Sequence, residues 1–156
     1  MVQLRSFFAI CIVTIALGSV SCTLKPVASE NYLIKNNLHQ ANIDSLGDGK
    51  ILIYNGADPL LMGNDDRMNI WINGKPLGQL RSREYTVVDV GMGDCEFNLA
   101  RRSLFLIKSN HTIKINPGTK VVSIDPVFVT NTMTQTNKLP SWLEKYAYVK
   151  SPEMAN

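Results

Sequence analysis

The chain has only three cysteines and two histidines in 156 residues, and Cys11, Cys22, His39, Cys95 and His111 are scattered along it. A zinc site needs such ligands clustered at usable spacing, so none is expected. A glycine-rich phosphate loop, a His-Glu-x-x-His helix and a Gly-x-Ser-x-Gly elbow are also missing, which removes the short motifs of nucleotide binding, zinc proteolysis and serine hydrolysis. A calcium loop starting at Asp44 fails because Leu46 and Asn55 stand where an oxygen ligand and a glutamate belong. Asn64-Asp65-Asp66 reads as an ordinary solvated acidic turn, so no metal or cofactor is expected. Charge of one sign is scarce too. The net charge is +3, basic residues are interleaved with acidic ones, and Arg101-Arg102 is the one adjacent basic pair. Nucleic-acid binders concentrate their bases on one face, so nucleic acid is not expected as a partner. The longest apolar run, Phe7 to Leu17, covers about eleven residues, whereas a membrane-crossing helix needs roughly 20.

What is present begins with that run. Arg5 precedes it, and Gly18-Ser19-Val20-Ser21 lead from it to Cys22, the order of basic head, apolar middle and small-residue exit that an export signal requires. Gly18-Ser19-Val20-Ser21-Cys22 resembles the lipobox of bacterial lipoproteins, with Ser19 where the common form has leucine. The resemblance implies removal of residues 1–21, lipid such as palmitate on the Cys22 sulfur, and a protein held at the membrane. Two or more acyl chains anchor stably where one does not. Thr23 follows, not the aspartate that retains enteric lipoproteins at the inner membrane, which implies the outer membrane's periplasmic face. An ordinary secretory cut between Ser21 and Cys22 is the alternative, since Ser19 and Ser21 satisfy its small-residue rule. In that case Cys22 is an unlipidated first residue, open to a disulfide with Cys95.

Loss of residues 1–21 leaves 135 of the 156, enough for one domain. Residues 22–48 read as a tether, with Ile34, Leu38 and Ala41 at the spacing of a short helix. From residue 49 to about 150 short apolar runs alternate with turn residues, and this pattern predicts an all-β domain, an antiparallel β-sandwich. Strands are expected at Ile51–Tyr54, Met68–Ile72, Leu77–Leu80, Arg83–Val90, Cys95–Leu99, Ser103–Lys108, Thr112–Ile115 and Lys120–Ile124. Ser103–Lys108 is dense enough in apolar residues to suggest a strand covered on both faces. Turns are expected at Asn73-Gly74, Gly91-Met92-Gly93-Asp94, Ser109-Asn110 and Asn116-Pro117-Gly118. At the end, Trp142, Leu143, Tyr146 and Val149 fall near the i, i+3, i+4, i+7 positions of a short amphipathic helix stopped by Pro152.

The stretch Ile70-Trp71-Ile72-Asn73-Gly74-Lys75-Pro76-Leu77-Gly78-Gln79-Leu80 resembles a family of small uncharacterised domains of bacterial lipoproteins, in which an apolar strand enters an Asn-Gly-Lys turn. Tyr85–Val90, Gly91-Met92-Gly93, Phe97–Leu99 and Pro117-Gly118-Thr119-Lys120 follow in the family's order, with Gly91-Met92 replacing its usual proline-glycine. The resemblance implies a sandwich of transthyretin-like or immunoglobulin-like shape and brings no catalytic residue.

The function these features suggest is non-catalytic: an envelope lipoprotein acting in binding or assembly, with the lipid bilayer held through Cys22 and an envelope protein or cell-wall partner elsewhere. Trp71, Trp142 and Tyr146 are the candidate contact residues. Alternation puts Trp71 on the face opposite Ile70 and Ile72. Two other readings stay open. Cys95 with His111 is the one pair that folding could assemble into a nucleophile and base, giving an exported enzyme, and Trp71 could serve a secreted sugar- or peptide-binding module. Asn110-His111-Thr112 matches a glycosylation sequon that a bacterium would leave silent.

Overall fold

The computed structural model describes residues 33–35, 42–58, 67–103, 105–141 and 143–150. They form two packed β-sheets. The strands are β1 (Leu33–Lys35), β2 (Lys50–Asn55), β3 (Arg67–Ile72), β4 (Lys75–Arg81), β5 (Glu84–Asp89), β6 (Gly93–Arg102), β7 (Leu106–Ile115), β8 (Val121–Val127), β9 (Thr130–Gln135) and β10 (Ala147–Lys150). One sheet has the order β1-β10-β5-β2-β8-β9 and the other β4-β3-β6-β7. The all-β sandwich is therefore present, with one refinement: β10 runs parallel to β5 and β2 parallel to β8.

Those parallel neighbours explain which strand is covered on both faces. Ile51, Leu52 and Ile53 in β2 are all fully buried, as expected of a central strand with parallel pairing. Ile51 and Ile53 join the core between the sheets with Val122, Ile124, Met68, Ile70, Phe97 and Leu99. Leu52 turns the other way, into a second cluster with Leu46, Tyr85 and Val121, against which Ile43, Leu139, Leu143 and Tyr146 pack. The six-stranded sheet thus has apolar cover on its outer side, supplied by the 3-10 turns Ile43–Ser45 and Leu143–Lys145 and their neighbours.

One expected helix is corrected, and the other falls mostly outside the described residues. Leu143–Lys145 makes a single 3-10 turn and the chain then enters β10, so the C-terminal helix does not form. The apolar spacing that suggested it arises differently: Leu143, Tyr146 and Tyr148 face the outer cluster while Val149 faces the inner core. A strand slot between β5 and β1 offers backbone partners on both sides, and aromatic and β-branched residues fit it. Near the other end, Leu33–Lys35 is an edge strand antiparallel to β10. The rest of the helix expected around Ile34 and Leu38 lies outside the described residues, as do residues 1–21 and Cys22.

Ser103–Lys108 is corrected as well. Phe105 is 76% exposed and Leu106 53%, and these residues form the tip between β6 and β7. No turn occurs at Ser109-Asn110, because β7 pairs with β6 without interruption from Leu106 to Ile115. Asn73-Gly74 does make the expected hairpin, with φ of 50° and 75°, the left-handed pair that such a tight turn demands.

Gly49 is a position that only glycine fits. Its φ is 95°, and a Cβ there would lie 2.9 Å from backbone atoms of Gly91, where its carbonyl accepts from Val90 N at 2.9 Å. Gly49→Ala is expected to lower stability by about 2 kcal/mol, since strain and overlap both fall on backbone that cannot swing away. Urea unfolding would measure it.

Glu84 gives the fold a pH dependence. It is 6% exposed and accepts from Arg81 N at 2.7 Å. Burial raises its pKa, while that hydrogen bond and the charges of Arg81 and Arg67 pull it down. The folded value is therefore above the unfolded one, and the stability it contributes is full below the ordinary glutamate range and lost as pH rises through the folded value. Stability measured from acid to neutral pH should fall through that window, and Glu84→Gln, which keeps an acceptor for Arg81 N, should flatten the curve.

Candidate functional site

Strand direction gathers many chain ends at one pole of the sandwich. Met68 pairs with Arg101, Arg67 with Arg81, and Tyr54 with Tyr85. The ends of β2, β4, β6 and β8 therefore meet the starts of β3, β5, β7, β9 and β10. The opposite pole holds the Asn73-Gly74 and Pro117-Gly118 turns, while Leu33 pairs with Lys150 at mid-height of the sheet, two residues beyond the Tyr148–Tyr85 pair.

A cleft of about 520 Å³ opens at the first pole, lined by Tyr54, Asp58, Arg83, Asp125, Lys145 and Tyr146 among others. Its floor is fixed by buried Asn55, which donates from Nδ2 to Leu80 O at 3.2 Å and accepts from Ala57 N at 3.0 Å. One side chain thus ties the end of β2 to β4 in the other sheet. Gly56 N donates to Ile124 O at 2.8 Å, and a Cβ on Gly56 would overlap the Asp125 carboxylate. The missing side chain is what lets that carboxylate lie across β2. Asp125 also accepts from Ser123 Oγ at 2.8 Å.

Tyr54 and Tyr146 stand edge to face, with centroids 5.9 Å apart and planes at 88°, a favoured aromatic geometry. Burial, and then the Asp125 charge, push Tyr54 above the usual tyrosine value. Tyr146 is likewise raised by burial, with Arg83 opposing and Asp125 adding. Both phenols keep their protons at neutral pH. The cleft thus offers hydroxyl donors, carboxylates, a guanidinium and an ammonium around two aromatic rings, a set suited to orienting a polar ligand such as a sugar or peptide.

Beside it rises an apolar crest. Phe128 is 80% exposed, Val129 77% and Phe105 76%, and with Leu106, Ile107 and Lys108 they border a hollow of about 330 Å³. These residues come from the β6–β7 and β8–β9 turns, which belong to different sheets. Arg101 joins them. It is 1% exposed and donates from Nε to Asn131 Oδ1 at 2.7 Å and from Nη2 to Thr130 O at 3.3 Å and to Val127 O. Asn131 Nδ2 in turn donates to Ser109 Oγ at 3.1 Å.

The residues singled out in the sequence are dispersed by the fold. Tyr146 lines the cleft. Trp71 is half-buried on the outer side of the four-stranded sheet, near the opposite pole, where it pairs with Asn98 and Pro76. Beside it Gln79 Nε2 donates to Asn69 Oδ1 at 2.7 Å. Trp142 and Cys22 lie outside the described residues. Cys95 is 2% exposed, its thiol donates to Val90 O and accepts from Asn73 Nδ2, both at 3.9 Å, and burial raises its pKa. His111 sits opposite Phe97 and its Nε2 is buried without a hydrogen-bond partner, so the two do not form a nucleophile-base hydrogen bond. Among the described residues no group of three His, Cys, Asp or Glu could hold a metal ion, and no helix is long and apolar enough to cross a membrane.

Sequence reasoning missed Tyr54, Arg83, Asp125 and the crest. The crest had a signal in Val127-Phe128-Val129, an apolar run directly after Pro126 with no polar residue to make it a strand face. No protein-family profile, curated protein or solved structure matches this chain.

Proposed function

We propose that this chain is a membrane-anchored envelope lipoprotein that acts by binding, as a non-catalytic assembly component, with Cys22 as the acylated residue. The lipobox-like Gly18–Cys22 segment and the resemblance of Ile70–Leu80 to lipoprotein domains support the anchor. The observation that carries the binding half is the cleft of Tyr54, Arg83, Asp125 and Tyr146. The cleft opens where the ends of β2 and β8 meet the starts of β5 and β10. Its aromatic, acidic and basic groups suit an envelope protein or cell-wall material as the bound partner.

The anchor is tested by feeding radiolabelled palmitate to cells making the wild type and Cys22→Ser. Label in the first and none in the second is the expected result, and an unlabelled wild type overturns the anchor. The binding half is tested with a photo-crosslinking residue at position 145, on the cleft rim, and another at Lys75, at the far pole. Adducts to one envelope protein or to murein are expected from position 145 and not from Lys75. Identical patterns from both positions would overturn the site.

A further inference from the structure

We propose that the crest of Phe105, Leu106, Phe128 and Val129 is a second membrane contact, which inserts into the interface of an anionic bilayer. It stands on an observation separate from the cleft and from Cys22. A single exposed apolar residue is ordinary, but four from two different sheets at one convex tip form a patch of the kind that marks an interaction surface. The turn that carries Phe128 and Val129 is held from below by buried Arg101, which donates to the carbonyls of Val127 and Thr130 on either side of it. Arg102 and Lys108 flank the crest and are exposed.

Charge selects the occupant. Between Glu96 and Asp125 the chain carries Arg101, Arg102, Lys108, Lys114 and Lys120 and no acidic residue, and from Pro126 to Leu143 it again has none. Of the acidic residues described at this pole, Asp58 and Asp125 line the cleft, Glu84 is buried with Arg81, and Glu144 is the chain neighbour of cleft-lining Lys145. Apolar side chains flanked, among the described residues, by the bases Arg102 and Lys108 match the headgroup layer of an anionic membrane, where depth of insertion supplies apolar burial and the bases meet lipid phosphates. Length allows the contact on the anchoring membrane itself. From Cys22 to Leu33 an extended chain reaches at most about 40 Å, and ten-residue β7, which runs from pole to pole, is about 34 Å long. The domain can therefore lie over so that anchor and crest meet one bilayer.

The test places a polarity-sensitive fluorophore on Val129→Cys, or on Lys75→Cys as the far-pole control, in the lipidated full-length protein. Val129 is exposed and tolerates the change, and Cys95 is too buried to be labelled. Vesicles of phosphatidylcholine alone, or mixed with phosphatidylglycerol, carry a spin-labelled lipid as quencher. Quenching at position 129 in the mixed vesicles and not at Lys75 is expected. The double variant Arg102→Gln/Lys108→Gln should weaken it by on the order of tenfold, the effect of two bases near an anionic surface, and added salt should do likewise. The inference is overturned if position 129 is no more quenched than Lys75, or equally quenched in neutral vesicles with no response to the double variant. Protection that appears only when envelope proteins are added would overturn it in favour of protein docking. Failure of Cys22 acylation shows separately, as missing palmitate, and the quenching is then read with vesicles in excess.

Discussion

Arg101→Met should destabilise the domain by about 3 kcal/mol. The substitution keeps most of the apolar stem but removes donors from Asn131 Oδ1, Val127 O and Thr130 O at once. Hydrogen bonds to a charged group contribute roughly 1.5–3 kcal/mol each, and an orphaned buried acceptor costs a further desolvation penalty. Val127 and Thr130 border exposed turns, so water can replace part of the loss there, which keeps the total well below the simple sum. Arg101→Lys should recover little, because a single ammonium cannot reproduce a planar fork that reaches a side-chain amide and two carbonyls. Urea unfolding would give the magnitude. Hydrogen exchange would show that the damage is local first, with amides of the β8–β9 turn losing protection before those of β2. The crest rides on that turn, so the same variant should also blunt any contact made by Phe128 and Val129.

Phe97→Ala should have an effect at least as large, about 3–5 kcal/mol. Phe97 is fully buried in the middle of β6, paired with Ile72 on one side and His111 on the other. Its ring fills the space between the two sheets with Ile53, Ile70 and Leu99, and strands locked by pairing on both flanks leave little freedom to collapse into the void. Phe97→Leu, which refills much of the volume, should lose far less. The check is a fall in the urea midpoint with an unchanged slope, which distinguishes lost stability from a change in the unfolded chain.

The two variants sort the interior by cause. Phe97 stabilises through area removed from water, and several apolar residues would serve. Arg101 stabilises by satisfying acceptors that the β8–β9 turn brings to one spot, and no apolar residue does that. Replacing the whole constellation, Arg101 with Asn131, by apolar residues of matching shape would be the informative control.

Alternation along the chain determined its sheet character because a strand has a period of two whatever it pairs with. Met68, Ile70 and Ile72 face the core, Asn73-Gly74 turns as its backbone preferences require, and Cys95, Phe97 and Leu99 point inward. Partners were not legible, since the same alternation suits a parallel or an antiparallel neighbour. Only the assembled sheet made β2 a doubly covered strand and left Phe105 and Leu106 in solvent. The terminal segment shows the same limit. Leu143, Tyr146 and Val149 satisfy a helical period and equally a 3-10 turn followed by a strand, and the free slot beside β5 decided between them.

The candidate site was legible in only one residue, Tyr146. Its companions Tyr54, Arg83 and Asp125 come from three other places in the chain and share no spacing, because the topology, not the local pattern, puts the end of β2, the β4–β5 turn, β8 and the start of β10 at one pole. Residue order alone determined the local periodicities, the tight turn and the composition of the two apolar tips. Tertiary structure decided which strands became neighbours, which apolar residues stayed wet and which charges share a cleft, since those depend on long-range pairing that no short window of sequence contains.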